Sequence, residues 1–174
     1  ASLVGSEMCI RDRFIIETVE SKELVMTNSL DEVSRLPLFL EEIAEETGMG
    51  MAEMMSLNVA LEEALVNVIH YAYPQMEEGK IVLTSAWDEQ SRTHTFCLKD
   101  WGGVFDPLTV PEADVTLSLE ERPIGGLGIF LIRNLMDEVA YRREGDCNVL
   151  IMRKNSKTIT RMNSNSTKSI PRTA

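Results

Sequence analysis

The residues whose types and spacing could do chemistry fall in three short stretches of the chain. In the first, Glu63, Asn67 and His70 stand four and three residues apart in an otherwise apolar run from 52 to 73. On a helix, where each residue turns about 100°, they fall within about 60° of one another and form one narrow polar stripe. A carboxylate and an amide on such a stripe can hold a metal-bound oxyanion and a proton acceptor side by side. The same spacing also fits an exposed helix face with an i,i+4 Glu–Asn contact. In the second stretch, Asp100-Trp-Gly-Gly-Val-Phe-Asp106-Pro follows directly on a β-prone run. That places Asp100 at the end of a central strand, with glycine at 102 letting backbone and ligand approach closely. In the third, Gly125-Gly-Leu-Gly128 opens a helix, whose free N–H groups and positive dipole end suit a phosphate. It is not a dinucleotide-binding G-x-G-x-x-G: Leu131 stands in the last glycine's place, and no βαβ unit surrounds it.

Elements must hold these stretches. Phe14 to Val19 reads as a first strand. Ser29-Leu-Asp-Glu32 is a capping-box pattern, followed by Leu30, Val33, Leu36, Leu40 and Ile43 at helical steps until Gly48. Pro37 either kinks this first helix or marks a later start. Residues 52 to 73 form a longer second helix, with Leu57, Leu61, Ala64, Leu65, Val68, Ile69 and Ala72 on its apolar face and Pro74 as its stop. Strands are expected over 81–87 and 93–98, joined by Asp88-Glu-Gln-Ser-Arg92. The segment from 100 to 126 reads as a long loop, with one helical turn around 114–121. A third helix is expected over about 128–137, then a hairpin of 139–143 and 147–153 around Glu144-Gly-Asp146. Helices and strands in blocks predict an α+β fold: a two-layer sandwich of a mixed, mostly antiparallel sheet with helices on one face.

The chain has 174 residues, enough for one compact domain and too few for a second core. No stretch approaches the ~18–20 uninterrupted apolar residues of a membrane span. Lys and Arg number 17 against 28 Asp and Glu, a net charge of −11. Such a balance disfavours direct nucleic-acid binding and favours basic partners or Mg²⁺-bound anions. The basic residues Arg153, Lys154, Lys157, Arg161, Lys168 and Arg172 all lie in the acid-free last stretch, which leaves the body more acidic still. Cys9, Cys97 and Cys147 are widely spaced, without a C-x-x-C pair, and read as reduced thiols of a cytoplasmic protein. Residues 1–13 look non-native or disordered, 14–155 form the working domain, and 156–174 read as a disordered polar tail.

Taken together and in this order, E-x-x-x-N (Glu63, Asn67), D-x-G (Asp100, Gly102), a long loop and G-x-G at a helix start (Gly126, Gly128) resemble the GHKL ATPase superfamily. The stretches "LEEALVNVIHYAYP", "DWGGVFDP" and "GGLGIFLIRNLMDEVAYR" are most similar to anti-sigma-factor serine kinases of the RsbW type. The resemblance spans roughly residues 24–154 and implies the GHKL, histidine-kinase-like ATPase fold.

It also implies roles. Asn67 would coordinate Mg²⁺ bridging the ATP phosphates, and Glu63 would be the general base. Asp100 would accept a hydrogen bond from the adenine amine, with Gly102 letting the base pack against the strand end. Gly126, Leu127 and Gly128 would take the phosphates, residues 105–125 would form a lid, and Arg122 would be its cation for the γ-phosphate. His70 reads as a packed or hydrogen-bonded helix histidine. The implied activity is an ATP-dependent serine/threonine protein kinase acting on a STAS-type anti-sigma antagonist, with a sigma factor as second partner and a homodimer built through the first strand and nearby helices. The alternative is a non-catalytic, nucleotide-gated protein-binding module. Two departures stand out: Val104 replaces the second glycine of D-x-G-x-G, and residues 14–48 offer no phosphorylatable-histidine hairpin of a sensor kinase.

Overall fold

A computed structural model describes residues 21–74, 78–109 and 127–156. The expected strand over 14–19, the helical turn at 114–121, Gly126, Arg122 and both terminal segments lie outside the described residues. The first described strand is β1 (Ser21–Thr27), whose alternation turns Leu24 and Met26 inward.

Ser29 caps a 3₁₀ turn over Leu30–Arg35 by accepting the Asp31 N–H at 3.3 Å. The α-helix proper, α1 (Leu36–Thr47), starts there with Pro37 in its first turn, the one helical site where a missing N–H costs little. Pro37 therefore marks a later start and not a kink. Gly48 closes α1 at φ 71°, a left-handed conformation that glycine adopts without strain. Helix α2 (Met51–Ala72) carries the long apolar face predicted for it. Strands β2 (Lys80–Asp88) and β3 (Thr93–Asp100) follow, then α3 (Leu127–Leu135), β4 (Glu138–Glu144) and β5 (Cys147–Asn155). Gly145, at φ 58°, makes the last hairpin's tight turn.

The sheet runs β1-β2-β3-β5-β4, and all four pairings are antiparallel. One face packs on the helices: Ile81, Leu83, Phe96, Leu98, Leu150 and Met152 meet Leu40 and Ile43 of α1, Leu57, Leu61 and Leu65 of α2, and Ile129 and Ile132 of α3. This is the predicted α+β two-layer sandwich. Burying this apolar stripe of each helix, at roughly 25 cal/mol per Å², is the main force holding the helices to the sheet. Cys97, Cys147 and Val149 form a small separate cluster in the opposite phase of β3 and β5, with both thiols free. Asp100 ends the central strand β3, paired on both sides, directly opposite Asn148 of β5.

Candidate active site

Two of the three sequence stretches meet where α3 begins. Gly128 is the second residue of α3, and a Cβ placed there would come closer than 3.0 Å to Oε2 of Glu63 and 3.2 Å from Nδ2 of Asn67. Glycine is thus what allows the start of α3 to sit directly on the polar stripe of α2. The Nδ2 atom of Asn67 is buried and has no hydrogen-bond partner, an arrangement that normally costs free energy unless a ligand completes it. Leu127 opens the helix and is 46% exposed.

His70 does not join this group. It is exposed and lines a cavity of about 650 Å³ with Thr27, Asn28, Ser29, Leu30 and Tyr73. The residue that continues the Glu63–Asn67 line at four-residue steps is Tyr71, whose ring stacks on Phe105 with centroids 5.0 Å apart. Its spacing from Asn67 was the available signal.

The remaining stretch, which begins at Asp100, is tied to the same helix from its other end. The Gly103 N–H donates to the carbonyl of Ala72, the last residue of α2, at 2.7 Å. A Cβ at Gly102 would stand 2.5 Å from that same carbonyl oxygen, so only glycine fits the turn. Tyr73 reinforces the junction: its hydroxyl accepts the Trp101 N–H and donates to the Lys80 carbonyl, each at 3.0 Å. Val104, in the place of the family's second glycine, is 75% exposed.

Asp100 is 2% exposed. Burial pushes its carboxyl above the usual carboxylate range, while hydrogen bonds from Asn148 and from the Gly102 N–H, and the nearby Arg143 charge, pull it back. The Gly102 N–H reaches its Oδ1 at 2.9 Å and the Asn148 amide at 2.8 Å. Asn148, Tyr141 and Arg143 were not singled out from the sequence, where the last hairpin reads as scaffold. The signal was present: Asn148 is a polar residue in phase with the inward-facing Leu150 and Met152. No group of three or more His, Cys, Asp or Glu side chains suited to a metal occurs among the described residues. Nor is any described helix long and apolar enough to cross a membrane.

This geometry, on this fold, defines the class of the protein. The family model of the histidine kinase-like ATPase domain matches residues 26–154, and the chain belongs to that family. Within it the chain is an RsbW-type member of the GHKL group. It is 32% identical over 127 residues to the serine-protein kinase RsbW of Listeria monocytogenes, covering 70% of this chain and 80% of that protein. To the serine-protein kinase RsbW of Bacillus cereus (strain AH187) it is 25% identical over 141 residues, covering 79% and 86%. Among solved structures, the RsbU and RsbW domains of Rv1364c from Mycobacterium tuberculosis share the fold with a TM-score of 0.54 at 13% identity. That match covers 76% of this chain and 31% of the longer mycobacterial one.

Proposed function

We propose that the chain is an ATP-dependent serine/threonine protein kinase whose substrate is a separate STAS-type anti-sigma antagonist, with a sigma factor as its second partner. One observation carries the reading: a carboxylate, an unsatisfied amide and a helix start opened by glycine converge from distant parts of the sequence onto one spot. Residues 14–155 would form the catalytic domain, working as a homodimer in the cytoplasm.

The donor set fits a magnesium nucleotide. Among the described residues no carboxylate–histidine cluster encloses a bare cation; the metal would rest on the Asn67 side-chain oxygen and on oxygens of the phosphates it accompanies, and the unpartnered Nδ2 would donate to a phosphate oxygen. Bound there, it would neutralise charge on the transferring phosphoryl group. The remaining tasks belong to the chain. The N–H groups at Leu127 and Gly128, at the positive end of α3, would hold phosphate oxygens, with Gly126 preceding them. Asp100 would accept the exocyclic amine of adenine, and Gly102 would leave room for the ring. Glu63 would take the proton from the attacking serine or threonine hydroxyl, or from water. Arg122 would add positive charge at the γ-phosphate from the lid segment 105–125.

Phosphoryl transfer asks little covalent chemistry of a protein, so these elements suffice for a kinase. Purified protein with Mg-ATP and a STAS-type antagonist should yield phosphoserine or phosphothreonine. Glu63→Ala should abolish the product while sparing nucleotide binding. Undiminished product from that variant removes Glu63 as the base.

A further inference from the structure

Asn148 is 3% exposed and lies on the helix-facing side of β5, in register with Asp100. An amide in such a position is costly unless every donor and acceptor is used. Here all are. Its Nδ2 donates to Asp100 Oδ1 and to the Gly103 carbonyl, both at 2.8 Å. Its Oδ1 accepts from the Tyr141 hydroxyl at 2.8 Å and from Arg143 at 2.7 Å. Arginine can only donate, so the amide oxygen must face Arg143 and the amide nitrogen must face Asp100. The orientation is fixed by chemistry.

The consequence falls on Asp100. Its Oδ1 is filled by two donors, Asn148 and the Gly102 N–H, and these bonds favour the ionised carboxylate. No hydrogen bond among the described residues engages Oδ2, which leaves it as an acceptor for a ligand. A 6-amino purine presents a donor to such an oxygen. A 6-oxo purine presents a lone pair, and could be met only if Asp100 took up a proton or turned away. Asn148 opposes both, since a donor bonded to Oδ1 stabilises the anion and resists rotation.

We infer that Asn148 is a positioning residue that sets the purine selectivity of this site, by holding Asp100 as an acceptor-only carboxylate under the control of Tyr141 and Arg143. The inference rests on the nucleotide reading proposed above and adds to it the residue that excludes 6-oxo nucleotides.

The test is calorimetric titration of Mg-ATP and Mg-ITP, the inosine nucleotide, into wild type, Asn148→Leu and Asn148→Asp, with melting curves to establish folding. Wild type should bind ATP at least about tenfold more tightly than ITP, the scale of one hydrogen bond to a charged group. Asn148→Leu should lose about tenfold in ATP affinity and most of the ATP-over-ITP ratio. Asn148→Asp keeps the shape but removes both amide N–H donors and sets a second carboxylate against the first, so no donor from β5 holds Asp100 as an oriented acceptor. That variant should lose ATP affinity and narrow the ATP-over-ITP ratio. A wild-type ratio in either folded variant overturns the assignment of Asn148 while leaving the nucleotide site intact. Wild type that binds neither nucleotide overturns the kinase reading together with it.

Discussion

Replacing Gly128 with alanine should raise stability and lower activity ~10²-fold at once. Gly128 lies within the first turn of α3, where alanine is preferred to glycine by up to about 1 kcal/mol. In a domain of this size that corresponds to roughly 3 °C in melting temperature. The new methyl, however, lands closer than 3.0 Å to Oε2 of Glu63, the far end of a flexible, half-buried side chain. The carboxylate swings aside, Asn67 Nδ2 at 3.2 Å from the methyl gives by a few tenths of an ångström, and the backbone stays, so the fold keeps its gain while the proposed base is displaced by about 1 Å. A displacement of that size can cost ~10²-fold in rate. Gly102→Ala is the matched control. Its methyl would stand 2.5 Å from the Ala72 carbonyl, which is backbone and cannot yield, so overpacking of about 1–3 kcal/mol should lower the melting temperature. Differential scanning calorimetry and phosphotransfer to the antagonist, measured on both variants, decide the matter. A Gly128→Ala protein that melts higher and phosphorylates at the wild-type rate refutes the placement of Glu63 at the reacting hydroxyl.

Asp100→Ala should weaken Mg-ATP binding by about tenfold to a hundredfold in a calorimetric titration, since a hydrogen bond to a charged group is lost; equal affinities remove the nucleotide site as drawn. His94 is fully buried, with neither ring nitrogen hydrogen-bonded and the Trp87 ring 4.2 Å away; burial, helped by the Arg92 charge, lowers its pKa from 6.5 to about 4. A depressed base means that stability is complete above pH 6.5 and falls as the pH drops towards 4, because the unfolded chain takes up a proton that the folded one refuses. Denaturant unfolding should therefore show an acid loss of at most about 3 kcal/mol, and His94→Phe should flatten it. An acid limb equally steep in that variant assigns the loss to other groups. Gly48→Ala forces a side chain into a left-handed conformation and should cost about 1 kcal/mol in the same assay, with Mg-ATP affinity unchanged.

Much of the architecture was written in periodicity. Leu57, Leu61, Ala64, Leu65 and Val68 repeat at helical steps for long enough to be unmistakable, and Pro74 and Gly48 mark helix ends by chemistry that tolerates few alternatives. The first described strand was harder to see. Among the described strands Ser21–Thr27 lies at the sheet edge with only Leu24 and Met26 buried, and its lysine, glutamate and serine dilute the pattern. Glu63, Asn67, Asp100, Gly102 and Gly128 were legible as candidates because each sits at a fixed step in a short motif. Asn148, Tyr141 and Arg143 were not, because their partners lie up to 48 residues away and only the strand register brings them together. His70, read as a packed or hydrogen-bonded helix histidine, is instead exposed: a three-residue step from Asn67 turns it towards the Thr27–Leu30 segment, whereas the four-residue step to Tyr71 stays near Phe105.

The bond between the Gly103 N–H and the Ala72 carbonyl has a mechanical meaning. Through it, the helix carrying Glu63 and Asn67 and the strand carrying Asp100 become two jaws of one caliper, with Tyr73 as the rivet. A gauge of fixed opening measures length, so the spacing between base end and phosphate end of the proposed nucleotide would be dictated before it arrives. Loosening the rivet, as Tyr73→Phe would, should blur that measurement even though every side chain that touches the guest stays in place.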